Sequence, residues 1–132
     1  MKTFLNFFFA TFFFSSSWLG GWSEVARNTN YSRYFLDFGN MQLVEPYTYA
    51  WILVNYLEPN RGGDLSEVQY IKVHCGDLVY RTLKIIRYGG PMGMGNVVDS
   101  FVPANAIDWT HATVGTAREA VVKNICENSI VE

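Results

Sequence analysis

The sequence is poor in the residues that build covalent and metal chemistry. Its 132 residues include two cysteines, Cys75 and Cys126, and two histidines, His74 and His111. Structural metal sites draw such ligands from closely spaced sets, and these four residues lack that spacing. Asp77 and Asp108 lie near the histidines in sequence, so a metal or haem site is conceivable there, yet an exposed strand-end histidine is the more ordinary reading of His74. Basic charge is also scarce. Ten Lys and Arg against twelve Asp and Glu leave a formal net charge of −2, whereas a nucleic-acid groove needs a basic face. No run of like charge is long enough to form a tail. Neither Ser66 nor Ser100 stands in a nucleophile elbow. Asp37, Asp64, Asp99 and Asp108 are scattered among turns, where aspartate is locally favoured. Catalysis, a cofactor and a nucleic-acid partner are therefore not expected.

Long apolar runs are confined to one place. Met1-Lys2 is followed by an apolar stretch from Thr3 to Phe14 and then by Ser15-Ser16-Ser17. A positive start, an apolar run and small residues predict a secretory signal over 1–17, cut before Trp18. A membrane span needs about 20 apolar residues, which this run does not reach. No cysteine follows it to carry a lipid anchor. The remainder, 18–132, is expected to be one domain without a membrane span, located in the periplasm or outside the cell. Its net charge falls to −3 once Lys2 is removed.

What is present is apolar and aromatic, at 49% and 17% of residues, which suffices for a core. Export changes the meaning of the cysteines. An even count in an exported chain implies a disulfide, and two cysteines allow one connectivity. Closing 51 residue steps between Cys75 and Cys126 contributes about 4 kcal/mol by loop-entropy arithmetic.

Strand patterns come first and a helix last, which predicts an α+β fold. Strands are expected over 22–28, 31–38, 41–45, 47–57, 65–75 and 78–88, with a short one over 106–110 around Trp109. The stretch from Tyr47 to Leu57 is apolar on both faces, the mark of a central strand covered on both sides. Gly76-Asp77 between two strands predicts a hairpin with a type II′ turn, Cys75 facing Leu78 and Val73 facing Tyr80. Farther from that turn the apolar set changes sides, which demands a bulge or a sheet covered on both faces. The helix opens at Thr116-Ala117-Arg118-Glu119, a capping box. Ala117, Val121, Val122, Ile125 and Cys126 share one stripe, opposite Glu119, Lys123 and Glu127. Paired cysteines would pin that stripe to the sheet.

Candidate contact residues are few. Gly89 to Gly95 contains Met92 and Met94 but no P-loop Lys-Ser/Thr. The plainer reading is a mobile strand connection, and the functional one is a binding loop with adaptable methionine contacts. Tyr47, Tyr49, Tyr56, Tyr70, Tyr80 and Tyr88 fall on the predicted strands, as core residues with polar tips or as an exposed aromatic face. Tyr88, Met92, Met94 and Trp109 are the chosen binding candidates. Asn30-Tyr31-Ser32 is a glycosylation sequon, relevant only in a eukaryotic secretory pathway.

A set of short segments then carries a resemblance. These are Trp22, Tyr34-Phe35-Leu36-Asp37, Ala50 through Tyr56 followed by Pro59, Ile71 through Cys75, Tyr80-Arg81, Gly90-Pro91-Met92-Gly93, Trp109, and Thr116-x-x-Glu119 leading to Cys126. In that order and spacing, Trp22 to Cys126 resembles the bacterial surface-adhesin protein E-like domain. The resemblance implies an antiparallel sheet of about six strands and one C-terminal helix tethered by the disulfide. It also implies binding of host or envelope macromolecules, with haem binding and homodimers among members of the family. The name-giving adhesin is lipid-anchored, and this chain departs from it in having no lipidation cysteine. Two other readings stand beside an adhesin: a periplasmic envelope protein of housekeeping or stress role without an external partner, and a small-ligand carrier, for instance of haem.

Overall fold

Tyr47 to Asn55 is apolar on both sides because both sides are covered. In the computed structural model, which describes residues 21–129, this strand (β4) lies inside an antiparallel sheet. The predicted signal over 1–17 lies outside the described residues. Eight strands pair in one sheet: β1 (Ser23–Arg27), β2 (Arg33–Leu36), β3 (Gln42–Val44), β4, β5 (Ser66–His74), β6 (Val79–Tyr88), β7 (Val97–Phe101) and β8 (Thr110–His111). Six of them run in the order β1-β2-β4-β5-β6-β7, with β3 added to β4 and β8 to β6. Among the described residues one α-helix, α1 (Ala117–Asn128), closes the fold. The expected α+β architecture of an antiparallel sheet with a C-terminal helix is therefore present.

Side chains alternate along β4, so two cores form on opposite faces. On the helix side Leu36, Ala50, Ile52, Ile71 and Val73 pack with Val121, Val122 and Ile125. Cys75 and Cys126 flank this cluster as a disulfide, with Cα atoms 5.5 Å apart. The predicted helix stripe is the buried one, and the bridge holds it to the sheet. Next to that core the helix face turns polar. Tyr56 Oη donates to Glu67 Oε1 (3.1 Å), Gln69 Nε2 donates to Glu67 Oε2, and Arg118 Nη2 donates to Gln69 Oε1 (2.9 Å). Burial first, and then the Glu67 carboxylate, push the Tyr56 hydroxyl well above the usual tyrosine range. On the other face Phe35, Leu53 and Val68 form a second, smaller core with Trp22, Trp51, Tyr88 and Met92 around it.

The structure revises several local expectations. Val73 does face Tyr80, but pairing stops at His74–Val79 and four residues, Cys75 to Leu78, close the turn. Asp77 N–H donates to the His74 carbonyl, and the left-handed position is Leu78 (φ 55°), so the turn is not type II′. Space is tight at Gly76 instead: a Cβ there would lie 3.0 Å from His74 Cε1, and the imidazole would have to shift. The change of apolar side along β6 is a bulge. Tyr70 pairs with Lys84 and Ile71 with Thr82, which leaves Leu83 extra. The strand expected over 106–110 shrinks to Thr110–His111, because Pro103 to Asp108 folds into successive turns. An unpredicted strand, β7, pairs with β6. At the helix start Thr116 Oγ1 accepts from Glu119 N–H (3.2 Å), while Glu119 Oε1 accepts from Gly115 N–H (2.9 Å), one residue before the cap.

The glycine–methionine loop is tied down rather than loose. Met92 N–H donates to Asn55 Oδ1 (2.7 Å), Ser66 Oγ donates to the Gly90 carbonyl (2.7 Å), and Gly93 N–H donates to Ser66 Oγ (2.9 Å). Within the loop Gly90 N–H reaches the Met94 carbonyl, and a Cβ on Gly90 would come within 2.7 Å of that oxygen. The loop is thus the cover of the second core.

Candidate functional site: an aromatic and basic sheet face

The loop covers only half of the face opposite the helix. Toward the other end of the strands the same face carries Tyr47, Tyr49 and Trp51 of β4, opposite His74, Lys72 and Tyr70 of β5. The next strand adds Val79, Arg81 and Lys84 in register with those three. Paired residues share a face, so the tyrosines, Trp51 and three cations form one surface. Trp109 reaches it from the turn before β8.

Its rings and charges are interleaved. Tyr47 and Trp109 are stacked, with centroids 5.7 Å apart and planes 17° from parallel. Trp51 and Tyr70 lie 4.6 Å apart, and Tyr49 and Tyr70 5.9 Å apart. Lys72 Nζ sits 4.1 Å from the Tyr47 centroid, 5.7 Å from Tyr49 and 5.9 Å from Trp109. The Arg81 guanidinium lies 4.2 Å over Trp109. Cations attract the negative faces of aromatic rings, and these contacts fix ring orientation without using up the charge. Among the described residues no carboxylate pairs with Lys72, Arg81 or Lys84; the ion pairs of Glu24, Glu67 and Glu119 lie elsewhere, and Asp77 at the end of this face lies beside His74. The Nε of Arg81 is buried without a hydrogen-bond partner.

Two depressions open on this face. One, of about 750 Å³, is lined by Trp51, Tyr70, Gln42, Met41, Asn40, Gly39 and Asp37. Asp37 is buried and accepts from Asn40 Nδ2 (2.8 Å). The other, of about 410 Å³, is lined by Tyr47, His74, Asp77, Val79, Trp109 and His111. Both histidines therefore line the same depression, on either side of Val79. His74 Nδ1 accepts from the Asp77 N–H (3.2 Å) and lies 3.7 Å from its carboxylate. Among the described residues no three His, Cys, Asp or Glu side chains are placed to hold a metal ion.

The four residues singled out from sequence are divided between two places. Tyr88 and Met92 pack against the second core, and Met94 beside them is 42% exposed. Trp109 contacts Tyr47 and His74 at the opposite end of the sheet. Tyr88 pairs with Ser66, eight residues along β5 from His74, a separation of about 27 Å. One compact contact cannot hold all four. Sequence reasoning missed Lys72, Arg81 and Lys84. Their alternation with the tyrosines of β4 was the available signal, and the bulge at Leu83 conceals it.

Ser66, considered as a nucleophile, is fully buried and occupied by the loop. Both cysteines are in the bridge. No helix among the described residues is long and apolar enough to cross a membrane.

Comparison with known proteins adds the lineage. Solved structures of Haemophilus influenzae protein E share the fold. One superposes with a TM-score of 0.60 at 20% identity, covering 83% of this chain and 86% of the other. A second crystal form gives 0.61 at 18% identity, covering 83% and 90%. Protein E from a non-typeable strain gives 0.56 at 19%, covering 82% and 76%. No curated protein sequence matches significantly. The family model for surface-adhesin protein E matches residues 22–127, so the chain belongs to the surface-adhesin protein E family.

Proposed function

We propose that this chain is exported through a cleaved signal over 1–17 and that its domain, 18–132, acts outside the cytoplasm as a non-catalytic binding module. The open half of the aromatic face is its contact surface for a macromolecule of the envelope or of the extracellular space. One observation carries this reading: the cover of the sheet stops midway, and beyond it half-buried rings and unpaired cations form a continuous surface. Aromatic and arginine side chains of this kind supply the anchors of protein interfaces. Family membership supports a surface role, and the disulfide suits an oxidising compartment. The adhesin reading is favoured over a small-ligand carrier by the family match.

The test is capture of an immobilised extracellular-matrix preparation by the mature domain. Saturable binding that Tyr49→Ala and Arg81→Ala both weaken supports the reading. Binding that neither variant alters moves the contact surface elsewhere. Fractionation with and without surface proteolysis decides where the domain acts: digestion on intact cells fits an adhesin, and protection fits a periplasmic envelope protein.

A further inference from the structure

We infer that the aromatic face is built for a linear anionic glycan, one carrying sulfate or carboxylate groups on its sugar rings. This rests on the contact-surface reading above and names the chemistry of the partner.

Charge complementarity is the first argument. The chain is acidic as a whole, yet Lys72, Arg81 and Lys84 lie side by side on one face without a carboxylate partner. Arg81 keeps a buried Nε with no hydrogen-bond acceptor. An anion laid on this face meets three positive charges that no carboxylate of the protein pairs with among the described residues.

Shape is the second argument. Tyr47, Tyr49 and Trp51 stand at alternate positions of one strand, a row about 13 Å long. Ring faces are electron-rich and attract positively polarised C–H edges, which sugar rings present. Such rows with flanking cations suit a chain of pyranose units bearing acid groups.

The third argument separates a glycan from an acidic peptide. Backbone N–H and C=O groups of β5 are taken up in the ladders to β4 and β6, and β4 is paired on both sides along most of its length. An extended peptide gains its affinity from backbone pairing at a sheet edge, whereas the rings of this surface stand on β4 and β5 inside the sheet, and the unpaired edge of β6 is confined to the four residues 81–84. It offers side chains alone: rings, one ammonium-filled gap between Tyr47 and Tyr49, and guanidinium and amine donors.

Calorimetric titration of the mature domain with heparin, as the sulfated glycan probe, tests this. Dextran, poly-glutamate and phosphatidylglycerol vesicles serve as neutral, peptide and lipid counterparts. Heparin is expected to bind and the counterparts to bind at least about tenfold more weakly. Lys72→Glu and Trp109→Ala should each weaken heparin by about tenfold or more, while Lys123→Glu on α1 stays within about twofold. Circular dichroism melts verify folding. Lys72→Glu carries the test alone should Trp109→Ala destabilise the domain, because Lys72 is only half-buried and takes part in no ion pair among the described residues. Equal affinity for poly-glutamate or for vesicles overturns the inference, as does full heparin binding by Lys72→Glu. Absence of heparin binding also overturns it. In that case, loss of matrix capture in the face variants leaves the contact-surface reading intact, and unchanged capture removes both.

Discussion

Ser66 shows how one residue can decide whether a core is covered. Its hydroxyl is fully buried, donates to Gly90 and accepts from Gly93. Ser66→Ala removes the partner of a part-buried carbonyl and a part-buried N–H, a cost of about 1 kcal/mol for a hydrogen bond of this kind. Urea denaturation of the variant should show that loss. An unchanged midpoint would mean that the loop does not depend on this anchor. Lys72 is the opposite case. Its cation–π contacts lie at a half-open surface, worth about 0.5–1 kcal/mol at such sites, so Lys72→Met should barely alter stability while it alters binding. Little of the surface around Lys72 could be read along the chain. Lys72 and Trp109 lie 37 positions apart, and only strand pairing and the turns after Pro103 bring them together. Tyr88, Met92 and Trp109 are recognisable as aromatic and soft residues, but which of them are cover and which are contact is decided by the loop's anchoring to Asn55 and Ser66.

At the scale of elements, the helix start gives a pH dependence. The Gly115 N–H, and then Lys123, hold the Glu119 carboxyl below its ordinary value of 4.5. A lowered folded-state value stabilises the fold above the unfolded value, and that stabilisation is lost as pH falls through the folded one. Glu24, lowered by hydrogen bonds from Arg33 and Arg27, acts in the same direction. Acid titration from pH 6 downward, followed by thermal melts, should therefore lose stability from about pH 4.5 downward, and Glu119→Gln should flatten part of that slope. Gly90→Ala probes the loop instead. A methyl group 2.7 Å from the Met94 carbonyl must push backbone aside, at about 1–3 kcal/mol for overpacking of this kind, again read by urea denaturation. Elements written in local chemistry were legible: the two-sided apolarity of β4, the Val73–Tyr80 register and the Thr116 cap. Elements set by tertiary pairing were not. β7 holds the strand formers Val97, Val98 and Phe101, but it is short, largely exposed and without an alternating apolar face, so no periodic pattern marks it. The bulge at Leu83 is a property of how β6 meets β5.

For the whole molecule the bridge is the decisive covalent feature. The helix lies over the core of Leu36, Ile52 and Ile71, and Cys75–Cys126 holds it there. Cys75→Ser with Cys126→Ser should remove about 4 kcal/mol by loop entropy, a large part of what a small domain has. Melting with and without reductant checks this: the native domain should lose stability in reductant and the double variant should not respond. The same bond has a mechanical meaning. Cys75 and Cys126 are 51 positions apart, so β6, β7, β8 and most of α1 lie inside a closed covalent ring. A chain pulled from its two ends under fluid shear can pay out only the residues outside that ring. About 170 Å of contour length stays locked away, and most of the cationic row, Arg81 and Lys84 with Trp109, lies on the segment that tension never reaches directly.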